Sequence, residues 1–334
     1  MEVLTADSSW ELPESEILHG ARVRRVRAWP RGGDQLVAPE IARHVAQGGW
    51  DMVHVQCYQT FVAPTAMAAA ARARTPYVLT FHGGGHSSPF RNAVRRPQLQ
   101  VMRPLLKRSA TLIASADWEI DHYSSMLGLP ATKFVLIPNG ADLPPAPAEP
   151  PRRDGKLLVS VGRLERYKGH QHAIAALPEV LRAVPDARLW IAGDGPFEDE
   201  LRALAERLGV GDKVEIRAVR DRAAYVAELS GASVAMLLSE FETHPIAAIE
   251  AIRLGIPMLV ADNSGLAELA RKRLAQAVSL DAGGAAHAAE IVRLIHDPPP
   301  APQLEMPTWD DCVDQLMSLY RSVATRRAST PATA

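Results

Sequence analysis

The segment SEFETHPIAAIE, Ser239–Glu250, follows an apolar run at 233–238 that predicts a buried strand. Pro245 suits the first turn of a helix, where its missing N–H costs nothing, and apolar residues then follow at helical spacing. Glu242 is therefore expected on the loop and Glu250 about one turn into the helix, both near the positive end of its dipole. Backbone amides at that end can bind a phosphate. Strand, loop and helix together indicate a site that handles a nucleotide.

Three further segments have the same character, an apolar strand that runs into a loop. They are VSVGRLERYKG at Val159–Gly169, WIAGDGP at Trp190–Pro196 and PMLVADNSGLAE at Pro257–Glu268. With Glu242 and Glu250 as a Glu-x7-Glu element, the ordered set resembles the retaining GT-B glycosyltransferases, particularly glycosyltransferase family 4. The resemblance extends from Glu2 to about Val323.

The resemblance implies an α/β protein with the GT-B fold, in which two Rossmann-like parallel-sheet domains face a cleft. A chain of 334 residues is long enough for two domains, each with its own core. Short apolar runs alternate with helical patterns throughout, as in βα units that build a parallel sheet. Hydrophobic residues make up 47% and charged residues 22%, which is ordinary for a globular protein.

A proline-rich run divides the chain and predicts a stiff connection between domains. We assign residues 1–142 to an N-terminal, acceptor-side domain, 143–155 to this linker, and 156–300 to a C-terminal domain that binds the nucleotide sugar. Residues 308–325 predict a terminal helix with one apolar stripe, which in GT-B proteins crosses back onto the first domain. Residues 326–334 are small and polar and predict a disordered tail.

Strands and helices can be placed approximately from the apolar periodicity. In the first half the predicted strands are Glu2–Thr5, Val23–Ala28, Met52–Gln56, Tyr77–Phe81, Thr111–Ala114 and Phe134–Ile137, with helices at Ala38–Gln47, Phe61–Ala73 and Leu99–Arg108. In the second half strands are predicted near 157–161, 188–192, 213–217, 233–238, 257–261 and 276–279.

The start of the chain departs from the family pattern. Members normally open with a strand, a Gly-rich loop and a helix, and the segment Met1–Asp7 resembles the strand that follows these. The usual first strand and Gly-rich loop are therefore expected to be missing from this chain. A truncated or wrongly assigned start and a naturally shortened domain are both open explanations.

The resemblance assigns Arg163 and Lys168 to the diphosphate of the donor. Arg offers a bidentate fork and Lys a point charge, and both follow a strand at the ligand edge of a parallel sheet. Glu250 matches the family glutamate that accepts hydrogen bonds from the ribose hydroxyls. Glu242 matches the glutamate beside the transferred sugar, where it orients hydroxyls or stabilises developing positive charge.

Backbone groups complete the expected donor site. Because Pro245 has no N–H, a phosphate there would rely on the amides of Ile246 and Ala247. The resemblance places two loops, at Gly195 and at Val219, against the nucleobase. The resemblance also implies catalytic roles for Glu242, Arg163 and Lys168, together with His82 from the first domain.

A second glycine-rich loop follows the predicted strand at Tyr77–Phe81. Here the backbone of Gly83 and Gly84 can approach a ligand closely, and His82 and His86 add hydrogen-bonding groups. His82 matches the family histidine that faces the donor sugar. Asn139 lies in a Pro-Asn-Gly turn at the family's hinge, where turn geometry is its first role and a contact with the sugar the second.

Nothing in the sequence indicates a metal or a cofactor. There is no Asp-x-Asp element, and the histidines and cysteines lack the spacing of a zinc site. The resemblance implies a nucleoside diphosphate sugar as donor substrate and a hydroxyl acceptor: a glycan, a lipid or a small metabolite. A formal net charge of −1 argues against a dedicated nucleic-acid binder.

The cysteines and the apolar runs indicate where in the cell the protein is located. Two distant cysteines indicate no disulfide scaffold, and neither a signal-peptide pattern nor a membrane-spanning run occurs. We expect a cytoplasmic protein, with peripheral contact at the inner face of a membrane as the alternative. A set of basic residues on or near one predicted helix forms either a solvated face or a surface for anionic lipid or an acidic acceptor: Arg91, Arg95, Arg96, Arg103, Lys107 and Arg108.

The leading functional hypothesis is a nucleotide-sugar-dependent hexosyltransferase that retains anomeric configuration. A sugar synthase, a phosphorylase or an epimerase on the same fold is an alternative enzyme. A catalytically weak partner subunit is an alternative of another class, supported by the shortened start.

Overall fold

A computed structural model describes residues 1–32, 36–83, 87–148, 155–302 and 307–328. The chain divides into two compact units. The first contains 1–83, 93–138 and the chain from 312 onward; the second contains 84–92 and 139–311.

The strands of the described residues are short. They are β1 (Glu2–Asp7), β2 (Ser15–Leu18), β3 (Ala21–Arg27), β4 (Val53–Gln56), β5 (Tyr77–Thr80), β6 (Thr111–Ala114), β7 (Phe134–Leu136), β8 (Leu157–Val161), β9 (Arg188–Ala192), β10 (Val214–Arg217), β11 (Val234–Leu237), β12 (Met258–Ala261) and β13 (Gln276–Val278).

Helices connect most of these strands. They are α1 (Glu40–Gln47), α2 (Val62–Arg72), α3 (Pro89–Arg108), α4 (Asp117–Leu127), α5 (His170–Ala183), α6 (Glu198–Arg207), α7 (Arg222–Ser230), α8 (Ile246–Arg253), α9 (Ser264–Arg271), α10 (Gly283–His296) and α11 (Trp309–Ala328).

The second unit is built on a six-stranded parallel sheet in the order β10-β9-β8-β11-β12-β13. Numbered from its first strand this order is 3-2-1-4-5-6, the doubly wound arrangement of dinucleotide-binding domains. All residues of β11 and β12 are buried, because helices cover both faces of the sheet. The predicted α/β class and parallel sheet are therefore confirmed.

The described residues of the first unit form two separate sheets. One is four-stranded and parallel, in the order β4-β5-β6-β7, and the other has the order β1-β3-β2. In the smaller sheet β1 is parallel to β3, whereas β2 pairs with β3 in the antiparallel sense. The sequence did not predict β2, since its residues are largely exposed and form no buried apolar run.

Most predicted strand ends agree with the structure to within two residues, but α3 does not. It begins at Pro89, ten residues before the predicted start at Leu99. A proline within a segment argues against a continuous helix, because the residue before a proline is biased away from helix. The structure instead carries both Pro97 and Pro104 inside one helix.

The ends of the predicted segments also differ in places. Helix α11 continues to Ala328, three residues into the predicted tail, and 329–334 lie outside the described residues. In the predicted linker, residues 143–148 form neither helix nor strand. Residues 149–154 lie outside the described residues.

The terminal helix α11 packs on the first unit, as expected for the fold. Cys312 and Val323 form a small core with Val78 and Ile113 of β5 and β6. Tyr320 contacts His54 of β4 through its hydroxyl. In the part of the chain that is described, no helix combines the length and the apolar character needed to cross a membrane.

Candidate functional site

The order of the second sheet brings two loops together. Strand β8 and strand β11 are neighbours at the point where the strand order reverses, and helices leave them on opposite faces. The loop after β8 carries Arg163 and Lys168, and the loop after β11 carries Glu242. A crevice outside the carboxyl ends of two such strands is the usual ligand site of a doubly wound sheet.

Lys168 and Glu242 form an ion pair across these loops. The Lys168 ammonium lies 2.6 Å from Glu242 Oε1, and the Ser239 hydroxyl donates to the same oxygen at 2.9 Å. The two side chains are only 15% and 12% exposed, so the charges interact through a medium less polar than water. The structure thus joins two residues that the sequence assigned to different parts of the donor.

Close backbone packing fixes this pair. Gly169 adopts a φ of +77°, and a Cβ built there would lie 1.7 Å from the Leu238 carbonyl oxygen. Only glycine fits such an approach, so the two loops can touch. The Ser264 hydroxyl accepts from the Glu242 amide at 2.9 Å, and the Gly265 amide donates to the Glu242 carbonyl at 2.8 Å. The start of α9 therefore holds the Glu242 backbone.

Arg163 lies beside the same pair but points into solvent. Its side chain is 67% exposed, contacts Glu165 at 3.3 Å and donates to the Tyr167 hydroxyl at 3.1 Å. The Lys168 ammonium stands 5.2 Å from the centre of the Tyr167 ring. Both predicted diphosphate ligands thus flank one aromatic ring, and Glu165 also accepts from the Ser87 hydroxyl at 2.7 Å.

Glu250 is buried and paired with an arginine that the sequence analysis missed. Its side chain is 6% exposed, and both carboxylate oxygens receive hydrogen bonds from Arg222 at the start of α7. The Arg222 guanidinium also lies 5.2 Å from the centre of the Tyr225 ring. Burial, with Glu250 nearby, raises the pKa of the Tyr225 hydroxyl, which has no hydrogen-bond partner among the described residues.

Arg222 carried no signal in the sequence, because 28 residues separate it from Glu250. Asp221, just before it, caps α7 by accepting from the Ala224 amide at 2.7 Å. This cap fixes where the helix begins and so the direction in which Arg222 leaves it.

His170 is a second residue that the sequence did not single out. It is fully buried, and its two ring nitrogens contact the Ser160 hydroxyl at 2.8 Å and the Arg163 carbonyl at 3.2 Å. Burial lowers the pKa of His170 to about 4, so the ring is neutral at pH 7. A neutral ring donates to the carbonyl from one nitrogen and accepts from the hydroxyl at the other. His170 therefore ties the Arg163 loop to β8.

The start of α8 is arranged differently from a simple phosphate cradle. The Ile246 amide donates to the His244 carbonyl at 3.0 Å, in a tight turn around Pro245. Ala247 lies in the first turn of the helix, as predicted. Burial lowers the pKa of His244 to about 4, and its Nδ1 has no hydrogen-bond partner among the described residues.

The two loops predicted to face the nucleobase lie at the ends of neighbouring strands. Gly195 is in the turn after β9, which bonds to the Arg163 loop through the Leu164 amide and the Asp194 carbonyl at 2.8 Å. Val219 follows β10 and is half-buried against the core on that side of the sheet. Both loops border the carboxyl edge at which Arg163 lies.

In the first unit, His82 follows β5 with a φ of +40°, and its Nε2 lies 2.6 Å from Gln56 Oε1. Desolvation lowers the pKa of His82. His54, which the sequence analysis did not select, contacts Thr80 Oγ1 at 2.7 Å, and burial lowers its pKa to about 4.

Of the remaining residues predicted on the acceptor side, the structure describes two and leaves two outside its ranges. Gly83 is buried directly after His82, and Asn139 is half-buried beyond β7. Gly84 and His86 lie outside the described residues. No group of three or more His, Cys, Asp or Glu side chains within the described ranges is placed to hold a metal ion.

Two family descriptions match the chain side by side. Residues 1–140 match the glycosyl transferase 4-like domain, and residues 146–306 match the glycosyl transferases group 1. A glycogen synthase of Mycobacterium tuberculosis is 33% identical over 223 residues, which cover 65% of this chain. The match spans 53% of that synthase, about half its length.

Matches over nearly the whole chain also occur. A D-inositol 3-phosphate glycosyltransferase of Catenulispora acidiphila is 26% identical over 366 residues, covering 96% of this chain and 86% of that protein. The solved sucrose-phosphate synthase of Thermosynechococcus elongatus superposes with a TM-score of 0.76 at 20% identity, covering 97% of this chain and 89% of that one. The fold is therefore shared with GT-B proteins over almost all of the chain.

Proposed function

Since the chain belongs to the GT-B glycosyltransferases of the group 1 and family 4 type, we propose that it transfers a hexose from a nucleoside diphosphate to an acceptor hydroxyl. The configuration at the anomeric carbon is retained, and no metal ion or other cofactor takes part.

The observation that carries the proposal is the Lys168–Glu242 pair at the strand-order reversal, with Arg163 beside it. Two cations flank the Tyr167 ring at the edge where such sheets bind phosphates. A diphosphate needs cations held by a fixed backbone, and the glycine contact at 169 and the His170 bonds supply that fixation. Protein cations here take the part that a metal has in other sugar transferases.

The reaction breaks the bond from the anomeric carbon to the diphosphate and forms one to the acceptor oxygen. The acceptor proton passes to an oxygen of the leaving diphosphate on the same face of the sugar. Negative charge grows on the diphosphate as it leaves, so Arg163 and Lys168 stabilise the transition state more than the bound donor. Glu242 stabilises the positive charge that develops at the anomeric carbon.

Binding the donor then requires an exchange of partners. The Lys168 ammonium leaves part of its contact with Glu242 for a phosphate oxygen, which frees that carboxylate for the sugar. Glu250 receives the ribose hydroxyls in place of one bond from Arg222. Each exchange replaces one charge-assisted hydrogen bond by another, so neither carboxylate is left unpaired in a buried place.

The acceptor is a glycan, a lipid or a small metabolite, and the loop that begins at His82 and Gly83 is proposed to contact it. A cytoplasmic location belongs to this proposal, because nucleoside diphosphate sugars are made there. Peripheral contact with a membrane suits the lipid class of acceptor.

Calorimetry with UDP, GDP, ADP and dTDP tests the donor site. We expect one of them to bind equally well with and without a chelator. Arg163→Ala should weaken that binding roughly tenfold to a hundredfold, since a hydrogen bond to a charged group contributes about 1.5–3 kcal/mol. Arg163 is chosen because its side chain is 67% exposed, so its removal leaves no cavity in the core.

Arg182→Ala is the matched control, since Arg182 is similarly exposed, at 75%, and forms an ion pair with Glu179 on α5. This variant should bind as the unaltered protein does. Failure of all four diphosphates to bind, or binding that a chelator abolishes, would contradict the proposal.

A further inference from the structure

Charge is distributed very unevenly along the first half of the chain. Between Asp51 and Asp117 no acidic residue occurs, although the whole chain carries a net charge of −1. Eight basic residues fall in this interval: Arg72, Arg74, Arg91, Arg95, Arg96, Arg103, Lys107 and Arg108. A block of like charge of this size indicates a surface that meets something anionic.

Helix α3 contains six of these cations and has two apolar faces. The inner face buries Leu99, Met102 and Leu106 in the core of the unit. The outer face is a line of exposed apolar residues: Phe90, Val94, Pro97, Val101 and Pro104. At 3.6 residues per turn all five fall within about 40° of one line, as does Arg108. Phe90 is 75% exposed and Val101 81%, so this line is turned to solvent.

Cations lie on the line and between it and the inner face. Arg108 is on the line at the helix end, and Arg96 and Lys107 are about 100–120° away from it by helical phase, on one side of the helix. Beyond the helix end, Arg72 and Arg74 come just before β5, while Lys107 and Arg108 come just before β6. Parallel neighbours begin at one edge of a sheet, so these four exposed side chains share that edge.

We propose that the outer face of α3 and this cationic edge form a docking surface for an anionic lipid bilayer. The helix lies in the plane of the interface, with Phe90, Val94 and Val101 among the head groups. This inference goes beyond sugar transfer, because vesicle binding requires neither nucleotide nor acceptor.

The composition of the surface selects a bilayer over other anionic partners. Nucleic acids and acidic glycans attract cations but offer no apolar phase for an exposed phenylalanine and two valines. A bilayer interface accepts apolar side chains and cations on one helix, the combination typical of helices that lie on membranes. Each cation near an anionic leaflet contributes about 1 kcal/mol, so several together suffice for reversible attachment.

Sedimentation of the full chain with vesicles tests the proposal. We expect binding to mixed phosphatidylcholine–phosphatidylglycerol vesicles, little binding to phosphatidylcholine alone, and release by added salt. The double variant Lys107→Glu and Arg108→Glu should lower the partition coefficient tenfold or more, given about 1 kcal/mol per cation. The double variant Phe90→Ser and Val101→Ser keeps the charge and should lower it several-fold.

Controls come from the second unit, where Arg182, Arg207 and Leu208 are exposed. Arg182→Glu with Arg207→Glu makes the same change of net charge, and Leu208→Ser removes an exposed apolar side chain. Both should leave vesicle binding unchanged, and nucleoside diphosphate affinity should stay unchanged in every variant, which also shows that the variants are folded.

Three results would overturn the proposal. One is equal binding to neutral and anionic vesicles, and another is unaltered binding by both α3 variants. The third is failure to bind any vesicle while the charge variant loses affinity for heparin, which would assign the surface to an acidic glycan. If the unaltered protein binds no nucleoside diphosphate, that result contradicts the proposed function but leaves the vesicle result valid.

Discussion

At the scale of single residues, the Lys168–Glu242 contact shows how two nearly buried charges of the candidate site neutralise each other. A buried cation or carboxylate alone would be costly, and each lowers the cost of the other. Glu250 of α8 and Arg222 of α7 form a second ion pair of this kind. Both carboxylates are thus held in place by protein contacts alone, which reduces the ordering that the proposed donor binding requires.

The two glutamates should separate kinetically. Glu250 is assigned to the ribose, which does not react, so Glu250→Gln should weaken nucleoside diphosphate binding. Glu242 is assigned to the transferred sugar, so Glu242→Gln should bind the diphosphate almost normally and lower kcat. An interaction equal in ground and transition states changes KM, whereas one made only in the transition state changes kcat.

Calorimetry and steady-state kinetics on both variants measure this difference. Each Gln keeps the shape and one acceptor, so each variant should fold. A loss of nucleotide affinity in Glu242→Gln, with normal affinity in Glu250→Gln, would reverse the assigned roles.

His170 predicts a dependence of stability on pH. Its pKa is about 4 in the folded chain and 6.5 in the unfolded chain, so between these values the unfolded chain binds more protons. Stability should therefore fall as the pH drops from about 6.5 to 4, by roughly 3 kcal/mol for this residue at most. Urea unfolding at several pH values measures the slope.

His170→Gln is the comparison, because glutamine does not titrate in this range. The variant should lose less stability over the same interval, whatever its stability at pH 7. His54 and His244 are also held neutral by burial and contribute to the slope of both proteins. Identical slopes for the two proteins would show that His170 is not the group concerned.

At the scale of elements, the contact of the loop after β8 with the end of β11 depends on one glycine. A Cβ at Gly169 would overlap the Leu238 carbonyl oxygen, so Gly169→Ala must push apart the loops that carry Lys168 and Glu242. We expect a loss of about 3 kcal/mol or more in the free energy of unfolding, together with loss of diphosphate affinity.

Gly209→Ala separates the overlap from the backbone strain. Gly209 has a φ of +68°, close to the +77° of Gly169, but a Cβ there would meet nothing within 4 Å. This variant should lose only the 1–2 kcal/mol or so of a left-handed non-glycine residue and should keep its affinity. Equal losses in both variants would mean that the close approach is not decisive.

At the scale of the whole molecule, the last helix returns to the unit in which the chain begins. Val323 of α11 is 5% exposed in a small core with β5 and β6, whereas Val313 of the same helix is 50% exposed. Val323→Asp should therefore cost about 3 kcal/mol or more by burying an unpaired charge. Val313→Asp should change stability by only about 0.5 kcal/mol.

Hydrogen exchange at the amides of β5 and β6 measures this effect where α11 packs. Faster exchange there in Val323→Asp alone would confirm that the helix stabilises the first unit. Equal exchange in the two variants would contradict that role.

Much of the architecture follows from local sequence. Apolar runs such as 157–161 and 188–192 predicted strands at their observed positions, because a strand buried on both faces needs an uninterrupted apolar segment. The glycines and prolines at their ends located the loops, and so Arg163, Lys168 and Glu242 could be assigned to strand ends. The sequence did not predict the short β2 or the early start of α3, since neither has a buried apolar run at that point.

By itself the sequence determined the alternation of strands and helices, the division into two α/β parts and the loops that carry the candidate site residues. Only the tertiary structure decided which side chains meet: Lys168 with Glu242, Arg222 with Glu250, and His170 with the Arg163 carbonyl. The physical reason is the strand order, which places β8 beside β11 although 74 residues separate Lys168 from Glu242. Secondary structure follows from periodicity over a few residues, but a contact between distant loops exists only once the sheet has set its order.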